Sequence, residues 1–458
     1  MVIWFRRDLR VEDNRALALA RGRVLPIFIF DKNILDKLEK EDKRVTFIFN
    51  RVEILKKNLK KIGLNLTIFF AKPIDVFEYL KSQNLTKAVA SVDFNEYSKI
   101  RDNQISNLID LELINDSFIF EPNEILNQNG NIYRVFTPFY KKVLESFNEN
   151  YYLEYREEEL KLIDFDFENL IEIRGDKIYK REISLKSLGF KKANIPTFIE
   201  KNPIDSLKNF KNSLNNYTKE RDYPSLDSTS KLSTHLRFGT ISIRYILREL
   251  KEYQNSNIKV NSFFRQLIWR EFFNLIFEVF PHTKRKNFLD IEIPWENNED
   301  KFQTWTKGET GVPIVDAGMR ELNSTGYMHN RLRMIVSSFL VKDLKVAWQK
   351  GERYFSKKLL DYEPSSNVLS WQWASSIGID AVPYFRIFNP YLQSKKFDRD
   401  GIYIKSWIEE LKDTPSKHLH NEAFLMQYRI KNYPTPIIEH KREANLTKEI
   451  FKKAFSKK

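Results

Sequence analysis

Short apolar runs and longer stretches of helical periodicity alternate through the first third of the chain, and that alternation leaves few folds open. Residues 2–5, 24–30, 64–70, 88–92 and 118–120 read as buried strands, while 44–62 and 95–111 carry apolar residues at helical spacing between them. Parallel neighbours need a crossover helix, so this order builds a doubly wound α/β domain with a mostly parallel sheet. The loop after the first strand, F-R-R-D-L-R-V-E-D-N, lacks G-x-G-x-x-G, so nothing marks the domain as a nicotinamide binder. Between 164 and 202 periodicity weakens and charges cluster. Beyond Pro203 the spacing turns helical, over 232–250, 260–280, 314–322, 328–349 and 402–411. The expected class is therefore α/β plus all-α. An α/β domain occupies 1–130, a connector 131–202, an all-helical domain 203–440 and a basic, solvated tail 441–458, where seven Lys or Arg face two Glu.

Composition narrows the chemistry. With no cysteine, the chain has no disulfide, thiolate metal site, cysteine nucleophile or iron–sulfur cluster. Lys plus Arg exceed Asp plus Glu by 76 to 62, a net charge of +14 that favours a polyanionic partner. A lysine-rich proteome accounts for the bulk charge as well. No continuous apolar span is long enough to cross a bilayer, and the opening M-V-I-W-F-R-R-D meets charge at its sixth residue, unlike a signal peptide. A cytoplasmic monomer without membrane or metal partners is expected. The aromatic share of 14% supplies rigid contact surface as well as core.

One region concentrates the chemistry-bearing side chains: N-R-L-R-M over 330–334, W-Q-W over 371–373 and P-Y-F-R-I-F-N-P over 383–390. Asn330, Arg333 and Met334 fall at i, i+3 and i+4, so they share one helix face. D-S-T-S-K-L-S, over 227–233, precedes a helical pattern with Thr229, Ser230 and Ser233 as hydroxyl donors. Backbone N–H groups and hydroxyls converging there suit a pyrophosphate, and ordinary capping explains the same residues locally. Asn367 sits in P-S-S-N, which also reads as a polar turn.

Together with W-F-R-R-D-L-R at 4–10, L-I-W-R-E-F at 267–272 and G-E-R-Y-F at 351–355, these motifs resemble the photolyase/cryptochrome flavoprotein family. The likeness runs from the first strand to about residue 411 and is closest to the class I cyclobutane pyrimidine dimer photolyases. It implies an α/β antenna domain and a helical domain holding a folded FAD, active as the reduced anion. Blue light excites that flavin, an electron passes to a pyrimidine dimer in UV-damaged DNA, the ring splits and the electron returns.

Residue by residue, the resemblance places Tyr217, Thr229, Ser230, Lys231, Leu232, Ser233, Phe263, Arg270 and Asn330 around the FAD. It adds Arg333 paired with Asp361, Glu363 where an Asp is usual, and Asn367 beside flavin N5. An amide at N5 can donate a hydrogen bond without adding charge. Trp371, Trp348 and Trp295 match an electron relay to the surface. Trp269 and Trp373 match the pair that embraces a flipped dimer, where stacking is worth roughly 1–3 kcal/mol per base. Asn330, Arg331 and Met334 are implied at the lesion or its strand, with Arg386, Lys395 and Lys396 on flanking phosphates. Asn95 and Glu96 resemble a folate antenna contact, which implies 5,10-methenyltetrahydrofolate, although helix capping explains the pair about as well.

The chain departs from the family at two points. Gln266 stands where the cyclobutane enzymes commonly carry Glu; it keeps donor capacity but has no proton to give. Tyr327 replaces a frequent Trp and keeps a ring. The alternatives are a (6-4) photolyase, which Gln266 would suit, and a cryptochrome-type photoreceptor. Asn330 and Met334 occupy the positions of the two histidines of animal-type (6-4) enzymes. Asn367 and the paired indoles argue against a receptor.

Overall fold

A computed structural model describes residues 1–255 and 260–456 of the chain, which divide into two compact units. The first comprises Met1–Glu124, Ser146–Lys211 and Ser230–Val260, the second Ile125–Glu145, Asn212–Thr229 and Asn261–Lys458.

The first unit is built on one sheet. Its strands are β1 (Val2–Phe5), β2 (Arg23–Asp31), β3 (Thr67–Ala71), β4 (Lys87–Ser91), β5 (Asp110–Ile114), β6 (Lys161–Leu162), β7 (Leu170–Arg174) and β8 (Lys177–Arg181). The order is β5-β4-β1-β2-β3-β7-β8, with β6 beside β2 and every pairing parallel except β7 with β8. V-I-W-F is buried at every residue because both faces are covered. Ile3 and Phe5 join a core with Val52 and Leu55 of the helix Lys43–Lys61. Val2 and Trp4 join another with Phe77 and Leu80 of the helix Pro73–Ser82. Alternate side chains of one strand thus feed two cores, the doubly wound arrangement expected.

Three expectations change here. The last strand of the first third is Asp110–Ile114, not 118–120; Phe118 and Phe120 are buried in a bend. D-L-E-L-I sits at the sheet edge with most residues exposed, so no apolar run marks it. The expected connector contributes β6, β7 and β8, the last two joined through Gly175 at φ 56° and Asp176. The expected helix over 232–250 is two helices, Ser233–Phe238 and Ile243–Asn255, both in the first unit. Gly239, at φ 60°, ends the first of them, and a Cβ there would lie 1.8 Å from the Arg7 carbonyl oxygen.

The second unit is helical. The helix Asn330–Ser338 runs into a π-helical turn, Phe339–Asp343, and then the helices Trp348–Lys358 and Pro364–Ala374 follow. The expected tail is a packed helix, His440–Phe455, burying Ala444, Thr447 and Phe451. It docks on the π turn. His440 Nδ1 meets Asp343 Oδ1 at 2.5 Å, Thr447 donates to the Lys342 carbonyl, and Lys342 Nζ lies 3.6 Å from the Phe451 ring centroid. Its lysines line the exposed side, so net charge hid an amphipathic pattern. Among the described residues no helix is long and apolar enough to cross a membrane, and no His, Cys, Asp or Glu cluster could hold a metal.

Candidate flavin and lesion cavity

Faces of four helices in the second unit, with Phe355 from Trp348–Lys358, wall a cavity of about 340 Å³, within the range of small-molecule sites. The helix Asn261–Val279 supplies Gln266, Trp269 and Phe273, at i, i+3 and i+7. Asn330–Ser338 supplies Asn330, Arg333, Met334 and Ser337 at i, i+3, i+4 and i+7. Pro364–Ala374 adds Asn367, Trp371 and Trp373, and the loop before it Asp361, Tyr362 and Glu363. Ten residues expected at flavin or lesion therefore meet in one place: Gln266, Trp269, Asn330, Arg333, Met334, Asp361, Glu363, Asn367, Trp371 and Trp373.

The charged wall is an ion pair with one atom to spare. Arg333 Nη2 donates to Asp361 Oδ2 at 2.8 Å, and its Nε to the Met328 carbonyl at 2.8 Å. Burial opposes the guanidinium charge, but the Asp361 carboxylate and hydrogen bond outweigh it and hold the group above its ordinary range. Asp361 Oδ1 is buried with no hydrogen-bond partner. An unmatched buried acceptor is costly, so this atom asks for a ligand N–H or O–H. With the amides and guanidinium around it, the donor set fits the polar edge of an isoalloxazine.

Asn367 differs from expectation. Its Nδ2 donates to the Glu352 carbonyl at 3.2 Å and to Glu352 Oε1 at 3.0 Å. A carbonyl and a carboxylate can only accept, so the amide turns nitrogen toward them and keeps Oδ1 as its remaining polar atom. It can accept from an N–H in the cavity rather than donate. Burial raises the Glu352 carboxyl above its usual range, partly offset by bonds from Asn367 and Tyr362. Glu352 lies in G-E-R-Y-F, a motif that carries the resemblance without revealing this role.

The aromatic wall is built in layers. Trp269 stacks on Phe136 with centroids 3.6 Å apart and planes 7° from parallel, which closes one face of the indole. Phe136 belongs to the helix Phe136–Ser146, and its N–H is held by Asp380 Oδ2 at 3.1 Å. Trp371 and Trp348 are buried while Trp295 is half-buried, an inside-to-outside gradation that a relay needs. Gly351 lets the Trp348 helix close on Trp371, since a Cβ there would sit 2.2 Å from Cη2 of that ring. Trp348 Nε1 donates to Asn287 Oδ1 at 2.9 Å, and Trp295 meets Phe451 edge-on at 6.0 Å.

Other expected residues stand outside the cavity lining. Tyr217 packs edge-on against Phe263 at 5.7 Å, and Arg270 pairs with the buried Glu271 at 3.5 Å. Arg331 pairs with Asp222 at 2.6 Å and lies over Phe397. Thr229 bonds the half-buried Tyr327. Ser230, Lys231, Leu232 and Ser233 belong to the first unit, where Leu232 N donates to Ser230 Oγ at 3.4 Å and Lys231 takes a positive φ of 52°. Arg386, Lys395 and Lys396 are exposed. In the first unit Asn95 is committed as a helix cap, accepting from Ser98 N at 2.8 Å and donating to Ser98 Oγ at 2.9 Å, which leaves the folate reading with the exposed Glu96.

A half-buried ion pair with a spare buried acceptor, lining one cavity with paired indoles in a helical unit, is an arrangement suited to a flavin. Residues 263–453 match the family model described as the FAD binding domain of DNA photolyase, and residues 1–158 match that described as DNA photolyase. A deoxyribodipyrimidine photo-lyase of Buchnera aphidicola is 37% identical, over 99% of this chain and 97% of its own length. That of Escherichia coli is 34% identical over 96% of each. Among solved structures, a class III photolyase from Agrobacterium tumefaciens superposes with a TM-score of 0.84 at 29% identity, covering 99% of this chain and 97% of the other. The chain belongs to the photolyase/cryptochrome family, on the deoxyribodipyrimidine photo-lyase side.

Proposed function

We propose that this protein is a light-driven lyase that restores cyclobutane pyrimidine dimers in UV-damaged DNA, acting as a cytoplasmic monomer. The observation that carries the reading is the cavity itself, lined by the Arg333–Asp361 pair, Asn367 and the indoles of Trp269, Trp371 and Trp373. These residues would hold FAD as the reduced anion, whose chemistry under blue light would be to lend the electron that opens the cyclobutane ring and to accept it back.

The protein's own residues bind, orient and exclude water. Asp361 Oδ1 and Asn367 Oδ1 accept from ligand N–H groups, and Arg333 keeps positive charge beside an anionic ring system. Thr229 offers its hydroxyl to the diphosphate. Trp269 and Trp373 offer stacking surface to a nucleotide turned out of the duplex; photolyases are a standard example of such base extrusion. Gln266 meets the base edge, and Arg386 and Lys395 hold phosphates, which position the strand without reading it. Trp371, Trp348 and Trp295 would pass electrons from a reductant in solution inward to an oxidised flavin.

The test is blue-light repair of defined cyclobutane and (6-4) oligonucleotides, separately, by the chemically reduced protein. Cyclobutane lesions should disappear and (6-4) lesions persist. Repair of (6-4) lesions alone would transfer the protein to the other lesion class.

A further inference from the structure

We infer that Arg221 fixes the sense of the Gln266 amide, so that this side chain meets the substrate as a polarised N–H donor. A primary amide has two hydrogen-bonding ends, and a half-turn about its last bond exchanges them. A group that must bond a pyrimidine carbonyl has to present the nitrogen end. In this chain the neighbours decide the matter. Arg221 Nη2 donates to Gln266 Oε1 at 3.1 Å, and Gln266 Nε2 donates to the Ser262 carbonyl, one turn back on the same helix, at 3.4 Å. A guanidinium can only donate and a backbone carbonyl can only accept, so both neighbours select the same orientation.

Arg221 is itself held. It ends the short helix Tyr217–Glu220, its guanidinium lies 5.4 Å from the Tyr217 ring centroid, and its Nε is 3.9 Å from Asp222 Oδ1. Asp222 in turn takes Arg331 at 2.6 Å. The amide oxygen of Gln266 is therefore anchored to a chain of charged groups outside the cavity lining. One hydrogen of Nε2 goes to Ser262 over a long bond, and the other remains for the cavity that Gln266 lines.

The consequence is chemical as well as geometric. A cation on the amide oxygen draws electron density from the nitrogen and strengthens its N–H as a donor, the cooperative polarisation of linked hydrogen bonds. Neutral Gln266 thereby takes over the donor role for which related enzymes use a carboxyl group, with no proton to lose. The ligand chemistry that matches is an acceptor-only edge, a pyrimidine carbonyl; an amino edge would face donor with donor. Arg221 is thus a positioning residue for the lesion, an inference that rests on the repair reading of the cavity.

The test measures dark binding of reduced holoprotein to a thymine-dimer oligonucleotide and to its undamaged twin, for the parent, Arg221→Met, Arg221→Lys, Gln266→Met and the Arg221→Met/Gln266→Met pair. Flavin absorbance per chain confirms that each variant is folded. Arg221→Met should lower the preference for the dimer about fivefold, the worth of one hydrogen bond. Arg221→Lys should restore most of it, and Arg221→Met should cost nothing further where Gln266 is already Met. Equal losses on damaged and undamaged DNA in both backgrounds would make Arg221 a phosphate contact and overturn the inference. A parent protein with no preference for the dimer would overturn the repair reading instead, so the two failures are distinct.

Discussion

In the α/β unit Arg6 Nη1 and Arg101 Nε share Asp102 Oδ1 at 2.6 and 2.9 Å, Arg7 takes Asp93 at 2.8 Å, and Arg6 and Arg101 both lie over the Trp4 ring at 4.4 and 4.8 Å. In the helical unit Arg333 takes one oxygen of Asp361, the other oxygen stays unmatched, and an indole is stacked by protein on one face. In the first case two guanidiniums share one carboxylate oxygen and the atoms left over are donors, Arg6 Nε and Arg101 Nη2; in the second the atom left over is an acceptor, Asp361 Oδ1. The shared carboxylate holds its cluster together, whereas a buried acceptor lining a cavity asks for a ligand N–H or O–H. The crevice at the carboxyl ends of β1 and β4, where strand order reverses, is the usual ligand position in such a sheet. Here Arg6 reaches both Asp102 and the Ser91 carbonyl across it.

Removing the carboxylate on each side should therefore give different losses. Asp102→Ala strands two buried guanidiniums and should cost about 3–5 kcal/mol of stability, with flavin absorbance per folded chain unchanged. Asp361→Ala should yield protein that has lost most of its flavin. Thermal unfolding and the visible spectrum separate the two, and retained flavin in Asp361→Ala would break the contrast at its strongest point.

The indoles sharpen it next. Trp371→Phe should abolish photoreduction of oxidised flavin while chemically reduced protein still repairs. Trp305 is also buried, and its ring lies 6.1 Å from Trp371, but its Nε1 is committed to the Val336 carbonyl at 3.1 Å. Trp305→Phe should leave photoreduction in place; transient absorption of both variants decides which indole takes the electron. A smaller effect belongs to Phe136→Leu, which removes the stacked ring behind Trp269. Dimer affinity should fall roughly three- to tenfold, the worth of an aromatic pair, with undamaged DNA bound as before. A uniform loss on both DNAs would make Phe136 core rather than buttress.

How much of this was legible in the sequence depends on the range of the interactions. Asn330, Arg333 and Met334 were readable as one face because helical spacing is local, and Trp371 and Trp373 entered through a contiguous motif. Phe136, Glu352, Arg221 and Asp222 were not assigned to the site, since each acts on a residue distant in sequence or through a contact that no spacing encodes. Sheet edges were hidden by their charges, as at β5 and β8, where polar residues face water. Asn367 lines the cavity, and the sense of its amide was not legible because the group that turns it, Glu352, is visible only in three dimensions.

The smallest effect lies in a third buried charge cluster, where the His440–Phe455 helix docks on the π turn. Desolvation pushes the Asp343 carboxyl up to about 6, and His440 is raised above its ordinary value: burial lowers it, but the hydrogen bond and charge of Asp343 outweigh that. Both folded values exceed the unfolded ones, so the native state binds more protons and stability falls as pH rises through the window. The His440 contribution is fully present below its unfolded value near 6.5 and is lost above its folded one. Glu422, Lys345 and Lys342 also face this cluster. Burial pushes Lys342 down to about 7, which acts with the opposite sign above that pH. The parent-minus-His440→Gln difference in melting temperature, followed from about pH 6 to about pH 9, removes that background and should shrink steadily. A difference that grows with pH would mean that His440 is neutral in the fold, and that the helix covering Trp295 is held without a charged His440–Asp343 pair.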